Sequence, residues 1–98
     1  MTPRELAMTL ANEICGTLAR GRMRTLTTAE LDLLLEDCST LNSLMGDVSD
    51  ETISDLMERV RKLKDDANNL DLLDEALGSA DRAKVLAYEM PLGRPPSP

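Results

Sequence analysis

Leu31, Leu34, Cys38, Leu41 and Met45 recur at alternating steps of three and four residues. An α-helix, at about 3.6 residues per turn, returns side chains to one face at that interval, so the stretch predicts a core-facing helix. Leu35 widens the stripe. Thr27 and Glu30 have capping-box spacing, Leu26 and Leu31 have the spacing of a hydrophobic staple, and Gly46 supplies a stop, which bounds the helix at 28–45. Nowhere does a run of useful length alternate apolar and polar residues as a half-buried strand would.

The same grammar is written on either side. Thr2, Pro3 and Glu5 open a helix over 3–20 that Gly21 closes. Along it Leu6, Leu10, Ile14 and Leu18 form a filling row. Ala7, Ala11, Cys15 and Ala19, with Gly16 beside them, form a row of small side chains that lets another helix come close. Further on, Ser49 is a cap, Val48 and Ile53 a staple, and Ile53, Leu56, Met57, Val60, Leu63, Ala67 and Leu70 one stripe. Asp55 with Arg59, Glu58 with Lys62 and Arg61 with Asp65 are spaced as exposed i,i+4 pairs. Residues 50–77 read either as one helix or as two broken at Asn68-Asn69. Ser79 caps a last short helix over 80–90 that carries Ala83, Leu86 and Ala87, and Pro91 to Pro98 form a disordered, proline-rich tail. The expectation is all-α: a single domain over 1–90, built as a small bundle of three to four helices.

Composition narrows what such a bundle can do. With no Phe, no Trp and Tyr88 as the one aromatic residue, the core must come from Leu, Met, Ile, Val and Ala. A net charge of −7 and a pI near 4.4 oppose binding to nucleic acid or an anionic membrane. No apolar run approaches the roughly 18 residues of a membrane span, and MTPRELAM lacks the form of a signal peptide, so a cytoplasmic location is expected. The chain has no histidine, which removes Ser-His and Cys-His nucleophilic pairs and the His-containing metal sites. Cys15 and Cys38 have no CxxC spacing and read as unpaired core thiols. Asp65, Asp66, Asp71, Asp74 and Glu75 lack the calcium-loop pattern and read as a solvated face, and no glycine-rich phosphate loop is present. Arg20, Arg22 and Arg24 read either as complements to a helix C-terminus or as contacts for an acidic partner or a phosphate. No enzyme, metal or cofactor is expected.

What remains is surplus leucine. At about 100° per residue, Leu33 and Leu44 project together well off the stripe of the second helix. Either that helix is central in the domain, or its second face meets another chain as an interface anchored by Leu33, Leu44 and the Leu6, Leu10, Ile14 row. A homodimer through the first or second helix, which would bury these surfaces symmetrically, is expected. In size, acidity and helical layout the first ninety or so residues resemble small bacterial anti-activators that sequester transcription factors, such as those restraining LuxR-type quorum-sensing regulators. The resemblance implies a non-enzymatic regulator that occludes a partner protein. Alternatives are a secretion or assembly chaperone holding an apolar client segment, and a phage-type inhibitor or structural subunit.

Overall fold

The computed structural model describes residues 2–46 and 51–89, and among them the chain forms four helices and no strand. Helix α1 runs Pro3–Arg20, α2 Thr28–Met45, α3 Thr52–Asp65 and α4 Leu70–Glu89. Each packs on its sequence neighbour and α4 closes against α1, giving an up-and-down four-helix bundle.

Local chemistry sets most of the ends. Thr2 is extended and its hydroxyl accepts the Glu5 N–H at 3.1 Å, with Pro3 in the first turn. The Thr27–Glu30 capping box forms in both directions, and Arg24 donates to both Glu30 carboxylate oxygens at 2.7 Å. Gly46 stops α2 at φ 55°, a backbone conformation that costs glycine little. At the start of α4 the Asn69 side-chain oxygen accepts the Asp71 and Leu72 N–H groups at 3.0 and 3.2 Å, so 66–69 is a break and the described part of the stretch, from residue 51 on, is divided between two helices. Ser49 and Val48, expected to cap and staple α3, lie outside the described residues, as do Met90 and the expected tail.

The core is a heptad seam on every helix. It is Ala7, Ala11, Ile14 and Leu18 on α1, and Leu31, Leu34, Cys38, Leu41 and Met45 on α2. On α3 it is Ile53, Leu56, Val60 and Leu63, and on α4 Leu73, Ala76, Ala80, Ala83 and Ala87. The α2 stripe is as expected, with Leu35 and Met57 packed at the edge of the core.

Three expectations are corrected. The α1 seam is not the Leu6, Leu10, Ile14, Leu18 row: residues four apart drift about 40° per step around a helix, so that row wanders off the buried face. Leu6 is exposed, Leu10 half-buried, and Ala7 and Ala11 take the core. No short helix begins at Ser79, because α4 runs unbroken through Gly78 and Ser79. Burying Ala76, Ala80, Ala83 and Ala87 outweighs the roughly 1 kcal/mol that a mid-helix glycine costs. Ala67 and Leu70 do not extend α3 either; Ala67 sits in the connector, and Leu70 starts α4 with its side chain exposed.

Alanines on both sides of the α1–α4 seam let these two backbones approach closely, whereas α2 and α3 supply the large side chains. Contacts along that seam fix an antiparallel register. Arg4 reaches Tyr88 at one end, Cys15 Sγ lies 3.9 Å from Asp81 in the middle, and a Cβ on Gly21 would meet Leu73 Cδ1 at 2.9 Å at the other. The two connectors at this latter end are tied by Thr25, whose hydroxyl donates to Asn68 at 2.7 Å.

Candidate protein-docking surface

Residues expected to anchor a partner fall into three groups once the bundle is assembled. Ile14 is fully buried in the core and cannot meet a partner. Leu10 and Leu44 are half-buried, while Leu6 and Leu33 are exposed, Leu33 at 59%. The question of a central helix is thereby answered for Leu33: α2 is buried along one seam only, and this side chain stands outside it.

Leu33 borders an open groove of about 560 Å³ between α1 and α2, lined on one wall by Glu13, Gly16, Thr17 and Arg20. The α2 wall adds Glu30, Leu34 and Asp37. Gly16 is exposed in the middle of α1, with open space where a Cβ would project. Burial pushes the Asp37 carboxyl above its ordinary value, and the negative charges of Glu13 and Glu36 push it the same way. Three acids are thus crowded on this face.

Ion pairing elsewhere in the bundle follows a different plan from the expected i,i+4 pairs. Arg59 pairs with Glu75 across α3–α4 at 3.0 Å rather than with Asp55, Lys64 of α3 pairs with Asp32 of α2, and Arg22 joins Asp74 at the α1–α4 corner at 2.8 Å. Interhelical pairs form because bundle packing puts the flanks of neighbouring helices within reach of long side chains. Along the α1–α2 seam, Glu13, Glu36 and Asp37 form no ion pair among the described residues.

No protein family, curated protein or solved structure matches this chain.

The remaining chemistry is sparse. Both cysteines are free; burial raises the Cys38 thiol to about 12 and, with the nearby Asp81 charge, the Cys15 thiol to about 11. Thiols raised this far are poor nucleophiles near neutral pH. Among the described residues no three His, Cys, Asp or Glu side chains gather as metal ligands, and the acidic stretch from Asp65 to Glu75 is dispersed onto Arg22, Arg59 and Asn69. No described helix is long and apolar enough to cross a membrane.

Sequence periodicity did not single out a second exposed patch on α4. Val85 and Tyr88 are 56% and 62% exposed beside a shallow hollow, with Arg4 over the Tyr88 ring. The helix expected over 80–90 rests on Ala83, Leu86 and Ala87 alone, and Val85 and Tyr88 lie on the outward face of the longer α4.

Proposed function

We propose that this chain is a non-enzymatic, cytoplasmic protein-binding regulator that occludes an apolar helical surface of a partner, as an anti-activator does to a transcription factor. The observation that carries the reading is Leu33, an exposed leucine standing at the rim of an open groove beside an uncovered glycine. Helix-in-groove recognition needs this combination: an apolar anchor and a place where a second backbone can come close.

The partner in this reading is a different protein. Net charge opposes a second copy here, because each chain carries −7 and two such chains repel on approach.

The test is a photo-crosslinking amino acid placed at position 17, on the facing wall of the groove, in the source cells, followed by mass spectrometry of the adduct and a DNA-binding assay on the captured protein. A transcription regulator whose DNA binding the purified chain abolishes supports the reading. An exported or assembling client bearing an apolar segment would replace it with a chaperone role. Leu33→Asp is the matched variant: at an exposed site it changes stability by no more than about 0.5 kcal/mol, so loss of the adduct's partner reports on binding. Leu44→Asp is less clean because its side chain is half-buried.

A further inference from the structure

The three corners α1–α4, α2–α3 and α3–α4 each carry an ion pair made within the chain: Arg22–Asp74, Asp32–Lys64 and Arg59–Glu75. At the α1–α2 corner the cations, Arg20 and the Glu30-bound Arg24, sit at the connector end of the groove, whereas Glu13, Glu36 and Asp37 at its other end form no ion pair among the described residues; between the two ends Leu33 stands exposed and Gly16 leaves the helix surface flat. We propose that the α1–α2 groove binds an amphipathic helix of another protein that sets an apolar side chain against Leu33 and Gly16 and lysine or arginine side chains against Glu13 and Asp37. This rests on the protein-binding reading above and adds to it the chemistry of the partner.

Complementarity of charge selects this occupant over the others. A second copy, itself at −7, is repelled on approach, and an acidic or neutral helix leaves the crowded acids uncompensated. Asp37 is already partly desolvated and repelled by its neighbours, so a cation arriving beside it relieves a cost that the free protein carries. Gly16 fits the same account. A mid-helix glycine costs about 1 kcal/mol relative to alanine, and its bare surface allows a docked helix to lie close to α1. From Glu13 to Arg20 the α1 wall is about 10 Å long, enough for some two turns of a docked helix.

The experiment uses the full chain, labelled with 15N, and three synthetic peptides of about 18 residues, long enough at about 27 Å to span the groove. One is an amphipathic Leu/Lys helix, the second its Leu/Glu counterpart, and the third a scramble of the first with the same composition. The expected result is that the Leu/Lys helix shifts the amides around Gly16 and Leu33, and that the other two bind at least about tenfold more weakly. Glu13→Gln with Asp37→Asn should weaken the Leu/Lys helix at least about fivefold, an effect that fades as salt rises. Gly16→Leu should weaken it while Gly78→Ala leaves it unchanged. Equal binding of the scramble or the Leu/Glu helix, shifts centred on Val85 and Tyr88, or no binding at all would overturn the inference. The two readings fail separately: if Leu33→Asp abolishes a cellular adduct but no basic helix binds, only the partner chemistry is wrong. Binding of the basic helix with no regulator among the adducts keeps the groove and removes the anti-activator role.

Discussion

Arg4, at the first turn of α1, donates from Nε and Nη2 to the backbone carbonyl of Tyr88 in the last turn of α4, at 3.2 and 3.0 Å, with its guanidinium 5.7 Å from the Tyr88 ring centroid. One side chain therefore closes the bundle between its first and last helices. It also satisfies a carbonyl that the end of α4 would leave to water. Arg4→Ala should cost about 1 kcal/mol and speed amide exchange over residues 84–89 without changing it in α2 or α3; uniform exchange behaviour across the helices would refute a local role.

The two mid-helix glycines have open space around them. Gly16→Ala and Gly78→Ala should each raise stability by about 0.5–1 kcal/mol, read as an upward shift in the urea midpoint with an unchanged slope. They lie on different helices without shared partners, so the double variant should show the sum of the two effects.

The bundle is narrow on its α1–α4 side and filled by large residues on the other. Ala80 is fully buried between helices, and Ala80→Leu should destabilise by about 1–3 kcal/mol through overpacking. Leu34→Ala, in the filled half, should cost about 2–5 kcal/mol by leaving a cavity. A neutral Ala80→Leu in chemical denaturation would mean that the alanine seam has slack.

Glu30 is held well below the ordinary carboxylate range, at about 2, first by its hydrogen bond from Arg24 and then by the Thr27 N–H. A carboxylate whose folded value is lowered contributes stability that is fully present above its unfolded value, near pH 4.3, and is lost as the pH falls toward 2. The wild-type protein should therefore lose more stability between pH 5 and pH 2 than Glu30→Gln does, compared by urea midpoints at each pH. Equal pH slopes would mean that this clamp does not hold the carboxylate in solution.

With thiols raised to about 11 and about 12, roughly one Cys15 in a thousand and one Cys38 in ten thousand is ionised at pH 8. Cys38 is fully buried as well. Alkylation at pH 8 should be slow at Cys15 and, at Cys38, should follow unfolding, both accelerating in denaturant. Rapid native-state labelling of Cys38 would show that the bundle opens.

Much of this protein is decided within four residues of each position. The Thr27–Glu30 box, the Thr2 cap, the stop at Gly46 and the Leu31 to Met45 seam follow from the sequence, because caps and helical period depend on groups that near neighbours bring together. Leu33 was legible as a residue off that seam for the same reason. Which side of α1 is buried was not legible. Leu6 and Leu10 are larger than Ala7 and Ala11, and only the approach of the alanine face of α4 puts those two alanines in one seam with Ile14 and Leu18. Likewise α4 continues through Gly78 because tertiary burial outweighs local propensity, and Arg59 turns from Asp55 to Glu75 because a neighbouring helix comes within reach. The acidic rim of the candidate groove belongs to this second kind. Glu13 and Asp37 are twenty-four positions apart in the chain, and antiparallel packing of α1 on α2 brings their charges together.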